Sequence, residues 1–119
     1  GEVAKLFLDA GIIVLTAFVS PFCSDRAKAR ALVDEEGFLE IYCAANLQVC
    51  EERDTKGLYA KARTGQIKDF TGISSPYEAP ENPELRIETG LISLEECVEL
   101  VLIKLVELKI IPNPKISES

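Results

Sequence analysis

The sequence predicts an α/β fold built on a parallel sheet, and three observations carry that expectation. Residues 12–19 form an apolar run broken only by Thr16, the pattern of a strand covered on both faces. Strand-like and helix-like segments then alternate along the chain, which favours parallel strands with helical crossovers. Helix starts are also marked in the sequence, most clearly where Ser93 and Glu96 form a capping-box pair.

The elements follow in order. Residues 2–10 have helical spacing with Val3, Leu6 and Phe7 on one side, and Gly11 is a natural stop. Residues 12–19 are the first expected strand, ended by Ser20-Pro21, and Ser24 can cap a helix to about Val33. A second strand is expected over 38–43, then a short helix capped by Asn46 and running to about Glu52. A basic, glycine-bearing segment and a loop with Pro76, Pro80 and Pro83 lead to a third strand at 85–87. After Ser93 a long helix carries the stripe Leu94, Val98, Val101, Leu105 and Leu108. Pro112 and Pro114 close the structured part, so residues 1–112 read as one domain and 113–119 as a tail. A strand as apolar as 12–19 needs strand neighbours, yet only about three strands are legible. The chain also opens in mid-helix, so it reads as the back part of a larger domain.

At 119 residues, 47% of them apolar, the chain is at most one domain with an ordinary core. A formal charge of −7 argues against nucleic acid or anionic lipid as the main partner. No secretory leader is legible, and the apolar stretches are too short or too charged to span a bilayer. Four cysteines without a C-x-x-C pair, and no histidine, argue against a Cys/His metal site. Reduced thiols packed as small hydrophobes in a cytoplasmic setting are expected instead. Without imidazole, Ser-His and Cys-His nucleophiles are excluded for these residues. Phosphoryl transfer stays open, because it rests on positioning and charge stabilisation.

The segment 53–70 is the most informative stretch. It holds Arg53, Lys56, Lys61, Arg63 and Lys68 against Asp54 and Asp69, a local charge of +3 in a chain of −7. Such a compact cationic island suits a small polyanion better than a nucleic-acid surface. Gly57, Gly65 and Gly72 add backbone freedom, and Tyr59 and Phe70 add flat faces. Together they suggest a lid over a phosphorylated nucleotide; the plain alternative is a solvated basic helix face.

The segments Thr16-Ala-Phe-Val-Ser-Pro-Phe22 and Val49-Cys-Glu-Glu-Arg-Asp54 strengthen that reading. With them come Lys56-Gly-Leu-Tyr, Lys61-Ala-Arg63, Phe70-Thr-Gly-Ile73 and Pro76-Tyr-Glu78. This series resembles the adenylylsulfate kinase (APS kinase) family, also found as a domain of PAPS synthetases, and the likeness runs from Glu2 to about Pro112. The resemblance implies a P-loop nucleotide kinase fold, usually homodimeric. It implies transfer of the γ-phosphate of ATP, with Mg2+, to the 3′-hydroxyl of adenosine 5′-phosphosulfate (APS), giving PAPS for sulfate assimilation.

By position, the resemblance places Ser20 at the family's phosphoserine active-site residue, where a strand-end serine can equally hydrogen-bond substrate. Val19, replacing the more familiar isoleucine, joins Ser20 at the APS site. Lys56 matches a lysine there, and Asp69 and Phe70 match the lid positions that close on APS, Phe70 being suited to stacking on adenine. Arg53 matches the guanidinium that lies against the ATP adenine. Lys61 and Arg63 are candidate ATP phosphate contacts, and Ile92 matches a late position near the ATP base. No protein metal ligand is expected among these residues. The sequence contains no G-x-x-x-x-G-K-[ST] loop, the element that holds the β- and γ-phosphates and Mg2+. The P-loop-bearing N-terminal part is thus expected to lie before Gly1, and the 119 residues alone are expected to be inactive. The alternative is a non-catalytic fragment that binds nucleotide or a partner kinase.

Overall fold

The computed structural model describes residues 1–114. Five of the seven residues assigned to a tail, 115–119, lie outside the described residues. Helix α1 (Glu2–Asp9) ends at Gly11, whose φ of +85° only a glycine adopts without strain. An irregular stretch leads to α2 (Cys23–Arg30) and a single 3-10 turn (Glu35–Gly37). Strand β1 (Ile41–Ala44) is followed by α3 (Leu47–Glu52) and α4 (Leu58–Arg63), then by β2 (Leu85–Glu88) and α5 (Leu94–Glu107).

The α/β class and the parallel sheet are as expected. β1 and β2 pair in parallel, with Ile41 opposite Leu85 and Ala44 opposite Glu88. Asn46 caps α3, its Oδ1 accepting from the Val49 amide at 2.8 Å. The Ser93–Glu96 capping box opens α5: the Ser93 amide donates to Glu96 Oε2 at 2.8 Å and the Glu96 amide to Ser93 Oγ at 3.2 Å. Ser24 does not cap α2; it sits inside the first turn, and the Cys23 amide donates to the Glu78 carboxylate instead, at 2.9 Å.

Residues 12–19 correct the sequence reading. They form no strand and pair with neither β1 nor β2, and a strand exists only against a neighbouring edge. Their apolar side chains stand in solvent, with Leu15 83% and Phe18 80% exposed. The same holds for the expected faces of two helices. Val3, Leu6 and Phe7 of α1 are exposed, and so are Leu94, Val98 and Leu108 of α5. Only Val101 and Leu105 of that stripe are half-buried, where α5 meets β2. Among the described residues Ala44, Ala62 and Ile87 make up the buried apolar core. The radius of gyration, 16.9 Å, exceeds the roughly 13.5 Å of a compact domain of this length. The fold therefore presents an open apolar face, well beyond what an ordinary monomer leaves bare.

Polar contacts do much of the fastening. Arg30 donates to both oxygens of Glu84, at 2.6 and 3.0 Å, and its guanidinium lies 4.7 Å from the Phe38 ring centroid. Glu84 Oε1 also accepts the Glu40 amide at 2.6 Å, so α2 and the chain entering β1 and β2 share one carboxylate. Partial burial pushes the Glu84 pKa up, but the Arg30 hydrogen bonds, the Glu40 amide and the Arg30 charge outweigh it and hold it below the usual value. A folded pKa below the unfolded one gives stability that is complete above the unfolded value of about 4.3. That stability is lost as pH falls through the folded value. Glu84→Gln is therefore expected to lower stability by about 1–2 kcal/mol at pH 7. In urea denaturation the gap from wild type should close below about pH 4; a gap independent of pH would refute this account of the clamp.

Candidate functional site

The candidate residues fall into three places on this frame. Just before α2, Val19 is exposed and Ser20 has φ +40°, a left-handed conformation uncommon for a non-glycine residue. The Ser20 carbonyl accepts from Arg26 Nη1. Arg26 also donates to the Glu78 carbonyl and contacts Cys23 Sγ at 3.0 Å, pairs with Glu40 at 3.6 Å, and lies 5.5 Å from the Tyr77 ring centroid. The Glu78 amide in turn donates to the Pro21 carbonyl at 2.7 Å. The end of the expected lid is thereby joined to the segment that carries Ser20.

The lid itself is a helix between two glycine hinges. Gly57 (φ +66°) precedes α4 and Gly65 (φ +81°) follows it. Gly57 is the N-cap of α4, and Asp54 supplies a side-chain acceptor to its first turn, Oδ2 taking the Tyr59 amide at 2.8 Å. Arg63 turns back to α3 and makes a two-point pair with Glu51, whose pKa the Arg63 hydrogen bond lowers despite slight desolvation. Lys56, Lys61 and Lys68 make no ion pair among the described residues, and Lys56 and Lys61 are exposed. Beyond α4, Asp69 is exposed at φ +53°. Phe70 begins a tight loop whose Ile73, Ser74 and Ser75 amides all donate to its carbonyl. Its own amide donates to Ser74 Oγ at 2.7 Å.

Phe70 and Tyr59, both expected to offer stacking faces, pack edge-on against each other at 4.9 Å between centroids. Burial first, then the neighbouring Cys50 and the acids Asp54 and Glu51, push the Tyr59 phenol above its ordinary pKa. Tyr59 thus stays neutral and anchors Phe70.

The third place is the C-terminal end of the paired strands. Arg53, which follows α3, donates from Nη1 to the Thr89 carbonyl at 2.8 Å. This brings it to the loop that carries Ile92, which is half-buried with its amide on the Glu88 carbonyl at 3.3 Å. An open cavity of about 370 Å3 lies beside this junction, walled by Tyr42, Asn46, Val49, Arg86 and Gly90. Neither Arg53 nor Ile92 lines it. No hydrogen bond, ion pair or ring contact among the described residues joins Ser20 to Lys56, Asp69 or Phe70.

Sequence reasoning missed Arg26, Asp54, Tyr77 and Glu78 as organisers of these places. Asp54 carried a legible signal as an acceptor ahead of a helix; Arg26 did not, since its partners lie up to 52 residues away. None of the four cysteines is buried and Cys43 is exposed, which corrects their reading as buried small hydrophobes. All four are free thiols. Among the described residues no three His, Cys, Asp or Glu side chains gather to hold a metal ion, and no helix is long and apolar enough to cross a membrane.

The adenylylsulphate kinase family model matches residues 1–88. The chain belongs to that family. It is 75% identical over 111 residues to an adenylyl-sulfate kinase of Prochlorococcus marinus, an alignment covering 93% of this chain and 55% of that protein. To the adenylyl-sulfate kinase of Acaryochloris marina it is 65% identical, over 86% of this chain and 50% of the relative. The chain thus spans about half the length of the curated relatives it matches. Among solved structures, the Mycobacterium tuberculosis APS kinase CysC in complex with AMPPNP and APS superposes with a TM-score of 0.82 at 46% identity. That match covers 87% of this chain and 61% of the other. The P-loop kinase fold class follows from this membership.

The Asp54 acceptor is open to a direct test. Asp54→Ala removes an N-terminal acceptor worth about 1 kcal/mol to its helix, whereas Asp54→Asn keeps one. Trypsin cleavage after Lys61 and Arg63 is expected to run about fivefold faster in Asp54→Ala and near wild-type rate in Asp54→Asn. Equal rates in all three proteins would show that the carboxylate does not hold the lid helix.

Proposed function

We propose that the polypeptide carrying these residues phosphorylates the 3′-hydroxyl of adenosine 5′-phosphosulfate with ATP, making PAPS for sulfate assimilation. The observation that carries this reading is the 46% identity and shared fold with a kinase solved bound to AMPPNP and APS. The geometry adds support. Ser20 and Val19 lie just before α2, where a hydroxyl can meet the acceptor nucleotide. Lys56 is exposed at the Gly57 hinge, where its ammonium can reach sulfate or phosphate oxygens. Asp69 and Phe70 lie on the loop after the second hinge, placed to close over APS as the lid moves. On the ATP side, Arg53 is steadied by the Thr89 carbonyl with its guanidinium plane available to adenine. Ile92 offers apolar cover nearby, and Lys61 is free to meet phosphate. Arg63, occupied by Glu51, would have to exchange that partner to do the same.

Mg2+ accompanies ATP in such a reaction, and among the described residues no three His, Cys, Asp or Glu side chains gather to hold it. The sequence likewise has no phosphate-cradling G-x-x-x-x-G-K-[ST] loop. We therefore infer that the 119 residues alone do not turn over. Pairing of two copies and a cytoplasmic setting belong to the same reading, the latter supported by four unpaired thiols.

The test begins with the protein expressed from its own gene: its intact mass, then ATP-dependent formation of PAPS. Product is expected from the gene's full polypeptide and not from the 119 residues alone. Ser20→Ala should cost about tenfold or more in kcat/KM for APS, the scale of one lost hydrogen bond to a charged group. Nucleotide binding without product from the full polypeptide would replace the kinase by a binding module.

A further inference from the structure

We propose that Arg26 and Glu78 form a latch that positions Ser20 for the acceptor nucleotide and couples it to the lid; this rests on the kinase reading above. Pro76-Tyr-Glu78 stands out in the sequence, yet none of its residues has a part in the reaction as described so far. In the structure it is the most heavily fastened piece of the lid's far end. Four separate contacts tie it to the segment around Ser20: the Glu78 amide to the Pro21 carbonyl at 2.7 Å, the Cys23 amide to Glu78 Oε1 at 2.9 Å, Arg26 to the Glu78 carbonyl, and Arg26 over the Tyr77 ring at 5.5 Å.

Arg26 is the centre of this arrangement. One guanidinium spans the Ser20 and Glu78 carbonyls through different nitrogens and is backed by Glu40 at 3.6 Å. Only a planar fork with several donors can serve both carbonyls at once; an ammonium cannot reproduce that geometry. Ser20 itself is held at φ +40°, where a side chain costs free energy unless the surroundings over-determine the backbone. The Arg26 contact is what fixes its carbonyl. Glu78 adds a cap to α2 across 55 residues of sequence, tethering the helix that carries Arg26 to the lid end. The consequence is directional. When the loop from Phe70 to Glu78 moves, these contacts carry the pull to Ser20 and Val19, whereas Arg53 is held to the Thr89 carbonyl by a separate contact. Arg26 and Glu78 act through Ser20, so they are positioning residues.

The experiment uses the polypeptide expressed from its own gene, with variants R26A, R26K, E78A and E78Q. Two measurements are made: KM and kcat for APS and for ATP, and backbone amide exchange at Cys23 and Glu78. R26A and E78A are expected to raise KM for APS about tenfold or more, the scale of a misplaced substrate contact. KM for ATP should stay within about twofold, and exchange at both amides should speed up. E78Q, which keeps the acceptor oxygen, should restore both readouts, while R26K should restore neither. Equal changes in both KM values, or failure of E78Q to rescue, would reduce the pair to general fold support and overturn the proposal. If wild type makes no PAPS, the kinase reading falls and, with it, the role at Ser20. The exchange data would then decide on their own whether the latch between the two loops exists, unchanged amides in R26A refuting it.

Discussion

The parallel pairing of β1 with β2 is the constraint on which the rest of this fold depends. It joins segments far apart in sequence, so loop closure opposes it, and four residue pairs alone are a short ladder. The surrounding polar groups offset that weakness. At the entry to the ladder, Glu84 takes the Glu40 amide and the Arg30 guanidinium across 44 and 54 residues. At the exit, Thr89 Oγ1 donates to the Ala44 carbonyl at 3.2 Å, and Arg53 donates to the Thr89 carbonyl. A ladder clipped at both ends keeps its register, and register decides that Asn46 and the Thr89 loop emerge side by side. The Arg53 corner is therefore a product of strand pairing rather than of local sequence.

What was legible in the sequence is what local chemistry determines. Asn46 and Ser93–Glu96 announced their helices because a cap is satisfied within three residues. Gly11 announced a stop because its backbone conformation excludes other residues. Periodicity in 94–108 found α5. The failure at residues 12–19 has the opposite cause. An apolar run reports that a segment wants burial on both faces, but the covering elements and hydrogen-bonding edges are supplied from elsewhere. Here neither described strand pairs with it, so the run stays bare. The stripe on α5 divides along its length: Val101 and Leu105 are half-buried, whereas Leu94 and Val98 stand exposed.

The candidate site shows the same division. Arg53, Lys56 and the lid glycines could be found from charge and composition because a cationic, hinged segment differs from the acidic chain around it. How those charges are used could not. Arg63 pairs with Glu51 and Arg53 with a carbonyl, leaving Lys56, Lys61 and Lys68 as exposed charge without an ion pair among the described residues. Tyr59 and Phe70 read as two independent stacking faces, yet aromatic rings on either side of a glycine turn meet each other first. Their edge-on contact leaves Tyr59 half-buried and sets Phe70 against it at the start of the 70–75 loop.

These features bear on how a lid can be both mobile and accurate. Glycine hinges on both sides of α4 give freedom, but freedom alone would let the closing residues arrive anywhere. Accuracy requires that the far end be fixed, and that the fixed point be the reacting end of the site. Residues 70–75 fold tightly around one carbonyl, so they move as a unit. Glu78, a few residues on, is bound to Pro21 and the first turn of α2. In the proposed latch, the lid would turn about Gly57 and Gly65 and be held beside Ser20. A strained serine backbone at that ground point is consistent with a position set by its surroundings rather than by its own preference. On the proposed reading, closure and serine placement are two ends of one link.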